Sequence, residues 1–303
     1  MPQEIIINDV GPRDGLQNQS KILSIEQRLQ LIRALVEANV DHIEVGSFVS
    51  PKAVPAMVGT DAVLQSLVGE SENFSVLIPN QRGYELATKV GAKTVAMVLY
   101  ASDGMAVKNV GMAKLQVEQA AEAILQQAEA DRVKVIVTIS VAFECPFDGP
   151  TDPTIVFETA NKFLDLGVEN LVIADTIGAA NPAQVSELMT RLVSRNGAAR
   201  LTGHFHDTRA LGMANVYAAV EAGIRRFDAS ISGLGGCPFA PGASGNVATE
   251  DIVMLLHSMG FDTGINLHQL MVASDLAESL TGAAPGGRSK AWLKPYLLEN
   301  SVA

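Results

Sequence analysis

Val133-Lys134-Val135-Ile136-Val137-Thr138-Ile139-Ser140-Val141-Ala142-Phe143 is apolar almost throughout, and it follows a long amphipathic stretch, Lys114–Ala130. A strand with one wet face alternates apolar and polar residues. A strand buried on both faces reads as a nearly unbroken β-branched run, which suits a parallel sheet covered by helices. Outward from this segment the same pairing recurs in both directions. The apolar runs are Ile5–Asp9, His42–Ser47, Phe74–Pro79, Thr94–Tyr100, Val133–Val141, Leu171–Asp175, Leu201–His206 and Phe227–Ser232. Between them lie helical patterns, among them Ile25–Ala38, Thr154–Leu166, Pro182–Arg195 and Ala210–Ala222. Several end in a small-residue or glycine stop followed by a β-branched residue, as in Asp165-Leu166-Gly167-Val168 and Glu221-Ala222-Gly223-Ile224. That is how a helix ends when it feeds a parallel strand. Eight strand–helix units in about 260 residues match the arithmetic of a (β/α)8 TIM barrel. A doubly wound open sheet would carry G-x-G-x-x-G after its first strand, and Val10–Gln19 reads VGPRDGLQNQ instead. The expectation is α/β, one TIM-barrel domain over residues 1–303. The barrel spans about 4–262, with further C-terminal helices packed outside it over about 263–303.

Composition narrows the partners. The chain has 303 residues, is 48% hydrophobic with few aromatics, and carries a net charge of −11. Its core is therefore aliphatic, and nucleic acid and anionic membranes are not expected partners. Cys145 and Cys237 lie far apart with no metal-ligand spacing, which fits a reducing compartment. The N-terminus lacks the basic and apolar regions of a signal peptide, and no apolar run is long enough to span a bilayer. A cytoplasmic location is expected.

In such a barrel the site lies at the carboxyl ends of the strands, and the unusual polar residues collect there. Arg13 and Asp14 follow the first run, Glu44 lies in the second, and Asp175 and Thr176 close the sixth. His204 and His206 close the seventh, and the eighth runs into Gly233–Asn246, GLGGCPFAPGASGN, with Cys237 and Asn246. In a strand, residues i and i+2 share a face, so His204 and His206 can aim at one ion. With Asp14 and the Asn246 amide oxygen they form a mixed N/O set suited to Mg2+ or Mn2+, with Co2+ or Zn2+ admissible. The plainer alternatives are a turn role for Asp14 and a helix N-cap for Asn246. Arg13 is a permanent cation available to a developing oxyanion. Glu44, ending a buried strand, needs a cation beside it and should pair with Arg13 or a lysine. Cys237 lies in a glycine-rich loop suited to a lid, whereas Cys145 reads as structural.

With these residues in place, the chain resembles the 3-hydroxy-3-methylglutaryl-CoA lyase family of metal-dependent barrel enzymes. The carrying motifs are Val10–Gln19, IEVGSFVSPKAVPAM (Ile43–Met57), ADTIG (Ala174–Gly178), GHFHDT (Gly203–Thr208) and GLGGCPFAPGASGNVATED (Gly233–Asp251). The last is the most specific, because condensing relatives share the Arg-Asp pair and H-x-H but not the cysteine loop.

The resemblance implies cleavage of a 3-hydroxy-3-methylacyl-CoA, foremost hydroxymethylglutaryl-CoA to acetyl-CoA and acetoacetate, as in leucine catabolism. Asp14, His204, His206 and Asn246 would bind the divalent metal. Arg13, Asp14, Glu44, His204 and Cys237 would be the catalytic set, with Arg13 on the enolate and Cys237 in proton transfer. Arg13, Gln17, Asp175, Thr176 and Arg209 are expected to contact substrate, and Lys52 and Lys108 the coenzyme A. The expected partner is the acyl-CoA thioester, with a homo-oligomer left open. After GHFHDT the chain reads Arg209-Ala210-Leu211-Gly212, where typical members have an aromatic residue and then Gly-Gln. Arg209 could meet a substrate carboxylate. A lyase for citramalyl-CoA is therefore the alternative, followed by an acyl-CoA condensing enzyme.

Overall fold

The computed structural model describes residues 3–70, 73–236, 245–283 and 287–300. The strands are β1 (Ile6–Asp9), β2 (His42–Ser47), β3 (Phe74–Leu77), β4 (Thr94–Tyr100), β5 (Lys134–Ser140), β6 (Glu144–Cys145), β7 (Gly149–Pro150), β8 (Asn170–Asp175), β9 (Leu201–Phe205) and β10 (Arg226–Ala229). The helices are α1 (Ile25–Glu37), α2 (Thr60–Ser66), α3 (Gln81–Lys89), α4 (Asp103–Val110), α5 (Lys114–Asp131) and α6 (Pro153–Asp165). They continue with α7 (Pro182–Asn196), α8 (Gly212–Glu221), α9 (Thr249–Ser258), α10 (Leu267–Thr281) and α11 (Lys290–Asn300). No helix among the described residues is long and apolar enough to cross a membrane.

Eight parallel strands close in the order β1-β10-β9-β8-β5-β4-β3-β2, and β2 pairs with β1 to shut the ring. This is the expected TIM barrel, with helices outside it. Local chemistry starts several of those helices. Ser24 and Gln27 form a reciprocal capping box on α1, and Asn181 caps α7 with Pro182 following it.

Two features differ from the sequence expectation. The eighth strand stops at Ala229, and Ile231–Gly233 turns as a single 3-10 turn with Ser232 at φ 58°. The cause is the returning segment: the Ser230 N–H donates to the Val247 carbonyl, and the Thr249 N–H donates to the Ser230 carbonyl. A small antiparallel hairpin, β6–β7, sits after β5, and its two-residue strands leave no periodic trace. Helices α2, α3 and α4 add to the helical patterns named from the sequence; at seven to nine residues they give too few turns for a clear apolar stripe.

Bulky branched residues usually fill the axis of such a barrel. Here Asn8, Ser75, Thr138, Asn170 and Thr202 point inward and line a cavity of about 610 Å3 that reaches the carboxyl rim.

The register between β2 and β3 slips between Glu44 and Gly46, a bulge that serves a buried arginine. Arg28 is 1% exposed and donates to the Val45 carbonyl at 3.2 Å and the Thr60 hydroxyl at 3.1 Å. A Cβ on Gly46 would stand 2.6 Å from Thr60 Oγ1 and 2.7 Å from Arg28 Nη2. Gly46→Ala is therefore expected to cost about 2 kcal/mol, by overpacking, read as a lower urea midpoint at unchanged slope. An unaltered midpoint would mean that Arg28 can give way freely.

Candidate active site

The loop after β1 carries the first cluster. Asp9, fully buried, accepts the Gly11 N–H at 2.8 Å and the Thr249 hydroxyl at 2.7 Å. Burial pushes its carboxyl up to about 7, against those two hydrogen bonds. The clasp ties the end of β1 to the start of α9 and sets the π-helical turn Gly11–Gly15 over the barrel mouth. From that turn Arg13 reaches across the rim. Its Nε donates to Glu44 Oε2 at 2.6 Å and its Nη1 to Asp14 Oδ1 at 2.9 Å. The pairing expected for Glu44 is thus present, with Arg13. Burial raises the Glu44 carboxyl, and the guanidinium pulls it back toward the ionised form.

Asp14 also accepts from Gln17 Nε2 at 2.9 Å and from Asn246 Nδ2 at 2.8 Å. Opposite it stand the two imidazoles from the end of β9, with their Nε2 atoms 3.2 Å apart. His206 Nε2 lies 3.9 Å from Asp14 Oδ2. One ligand atom from each of Asp14, His204 and His206 falls within 4.8 Å of the others. Asn246 is held beside them by a backbone bridge to His206 rather than by capping a helix, since α9 begins at Thr249 with Ala248 as its cap.

The electrostatics prepare this cluster for a cation. Burial alone would raise Asp14, but Arg13 and the two histidines hold it down at about 2. Burial, reinforced by His204, drops His206 to about 4, so its ring is neutral near pH 7. For His204 burial works downward, but the Asp228 carboxylate outweighs it and the net shift is upward. The Asn246 amide oxygen is buried without a hydrogen-bond partner among the described residues. A carboxylate and two imidazole nitrogens at one point, with an unsatisfied amide oxygen on the adjoining Asn246, fit a divalent cation.

The remaining candidates divide. Gln17 and Thr176 line the cavity with the cluster. Thr176 uses its hydroxyl oxygen to accept the Val141 N–H at 2.7 Å. Asp175 turns its carboxylate to the N–H groups of Ala179 at 2.8 Å and Ala180 at 3.2 Å, holding the loop after β8. Arg209 is half-exposed, pairs with Glu144 at 3.3 Å, and is not among the cavity residues. Lys52, in the turn after β2, and Lys108, on α4, are exposed and do not line the cavity either. Cys237 lies outside the described residues, and Cys145 is a buried free thiol, as expected of a structural cysteine.

Sequence reasoning missed Asn8 and Asp228. Both line the cavity; the signal available was a polar residue at an inward strand position.

Comparison with known proteins agrees with this geometry. The family model described as HMGL-like matches residues 4–277. The chain is 38% identical to a hydroxymethylglutaryl-CoA lyase of Pseudomonas mevalonii, over 96% of each chain. It is 40% identical to an (R)-citramalyl-CoA lyase of Chloroflexus aurantiacus, over 92% of each. The crystal structure of hydroxymethylglutaryl-CoA lyase from Pseudomonas aeruginosa superposes with a TM-score of 0.92 at 36% identity, covering 98% of this chain and 99% of that one. Matched along nearly its whole length in sequence and in fold, the chain belongs to the HMGL-like family, that of the hydroxymethylglutaryl-CoA lyases.

Proposed function

We propose that the protein is a divalent-metal-dependent carbon–carbon lyase that cleaves 3-hydroxy-3-methylglutaryl-CoA to acetyl-CoA and acetoacetate. The observation that carries this reading is the convergence of Asp14, His204 and His206 beside Arg13 at the barrel mouth, in a chain of this family.

Asp14, His204, His206 and Asn246 would hold the ion, Mg2+ or Mn2+ by the oxygen share of the donor set. A divalent cation supplies Lewis acidity there, lowering the pKa of the substrate hydroxyl and polarising the nascent ketone. As a general base takes the hydroxyl proton, the O–H electron pair closes to the ketone of acetoacetate and the C–C electron pair becomes the enolate of the acetyl thioester. Arg13, a guanidinium fixed by Glu44 and Asp14, stabilises that enolate oxygen. Glu44 orients Arg13, and Gln17 orients Asp14. Cys237 donates the proton that completes acetyl-CoA. No redox cofactor enters the balance. On the same reading the enzyme works in the cytoplasm, a reducing compartment, and serves leucine catabolism.

A second reading, cleavage of citramalyl-CoA to acetyl-CoA and pyruvate, is favoured by the 40% identity to a lyase of that name. A coupled assay for acetyl-CoA release, with and without chelator, over both thioesters separates the two. Hydroxymethylglutaryl-CoA is expected to be the better substrate, with activity lost to chelator and restored by Mn2+ or Mg2+. A higher kcat/KM for citramalyl-CoA would support the second reading, and no cleavage of either thioester would defeat both.

A further inference from the structure

The barrel register puts three polar residues on one level of its interior. Asp228 on β10 is the cross-strand partner of His204 on β9 and of Asn8 on β1. Both carboxylate oxygens are committed. Asp228 Oδ2 lies 3.0 Å from His204 Nδ1, and Asn8 Nδ2 donates to Asp228 Oδ1 at 2.8 Å. Asp228 and His204 are 7% and 8% exposed, and no lysine or arginine forms an ion pair with Asp228 among the described residues. A buried carboxylate without such a partner is costly, so a packing role alone would be met better by an apolar residue.

The contact has a direct consequence for the imidazole. A ring whose Nδ1–H is given to a carboxylate carries its lone pair on Nε2 and cannot rotate without losing that bond. Nε2 of His204 is the atom that faces His206 Nε2. His206 has no such support, because its Nδ1 is buried without a hydrogen-bond partner among the described residues. Of the two rings, His204 is therefore the one locked by an outer carboxylate.

We propose that Asp228 is a positioning residue for the metal site: it fixes the tautomer and orientation of His204, and Asn8 in turn fixes Asp228. The inference rests on the metal-binding reading above. It assigns to the barrel interior a second tier of the site that spans three adjacent strands.

The test reads Mn2+ binding to the otherwise unliganded enzyme by electron paramagnetic resonance, without substrate. Asp228→Ala and Asp228→Asn are each expected to weaken Mn2+ by about 10- to 100-fold, the range for loss of an outer carboxylate on a ligating histidine. In D228N the amide can turn either its oxygen or its N–H group to His204 Nδ1, and Asn8, itself an amide, can turn to match either choice, so the ring tautomer is no longer selected. The exchange variant N8D/D228N restores the selection. Its carboxylate, now on β1, accepts from the amide now on β10, and the oxygen of that amide keeps the His204 Nδ1–H. It should recover most of the lost affinity, which a merely structural role would not produce. Nitrogen-15 spectra of the histidine rings should show a single Nδ1–H tautomer for His204 in the wild type and the exchange variant, and a mixture in D228N. Wild-type Mn2+ affinity in D228A and D228N would overturn the proposal alone. Failure of the wild type to bind any divalent ion would overturn it together with the metal reading beneath it. If D228A does not fold, the comparison of D228N with the exchange variant decides.

Discussion

Arg13→Ala is expected to lower the turnover of hydroxymethylglutaryl-CoA on the order of 10^3-fold, the scale for losing a group that stabilises an oxyanion, while Mn2+ affinity changes far less. The physical case begins with how tightly the guanidinium is held. It bridges Glu44 at 2.6 Å and Asp14 at 2.9 Å, with its side chain 13% exposed. Such a cation needs no rearrangement when enolate charge develops beside it, and poor screening at the barrel mouth strengthens the attraction. Alanine removes the charge and also strands Glu44, a carboxyl that burial already pushes toward its neutral form. Asp14, by contrast, keeps its hydrogen bonds from Gln17 and Asn246, so the ion-binding cluster should persist. Arg13→Lys should fall between, because it keeps the charge but cannot reach both carboxylates with one planar fork. Steady-state kcat measured at saturating Mn2+, alongside the Mn2+ dissociation constant, checks this. If the loss of turnover tracks a loss of metal, Arg13 is structural and the enolate assignment falls.

Asp14→Asn should have the reverse signature, with metal affinity lost first and turnover lost as its consequence. Asp14 is the single carboxylate of the Asp14/His204/His206 cluster, and Arg13 and the two histidines keep it ionised despite burial, at about 2. An amide there would offer a neutral oxygen and would set its N–H group against the Asn246 amide that now donates to it. Mn2+ affinity is expected to drop by more than the roughly 100-fold that marks the upper range for an outer-tier partner. Cleavage should vanish at micromolar metal and return only in part at millimolar. Titration with Mn2+ in the absence of substrate, at a matched melting temperature, provides the measurement. Wild-type affinity in D14N would remove Asp14 from the ligand set.

Much of this was visible along the chain for definite reasons. The barrel was legible because its strands are buried on both faces, so runs such as Thr94–Tyr100 stay apolar without alternation, and because the helices between them stop on glycine or small residues. The H-x-H pair was legible because a two-residue strand period puts His204 and His206 on one face. The pairing of Glu44 with a cation followed from the cost of leaving a carboxylate unpaired at a strand end. Arg209, Lys52 and Lys108 were less well read. Each is a cation near a motif in sequence, but in space Arg209 turns to Glu144 and neither lysine lines the cavity. Adjacency in the chain does not say which way a loop side chain leaves the rim.

Chain order and residue type alone dictated the class of fold and which side chains stand at the carboxyl ends of the strands, because periodicity and helix stops are local properties. Closure of the sheet decided the rest. Only the register across β9, β10 and β1 sets Asp228 between His204 and Asn8, and only the returning segment after β10 brings Asn246 within 2.8 Å of Asp14, across 232 positions of chain. These contacts depend on how far one strand is staggered against the next, and that stagger is set by the packing of the whole barrel.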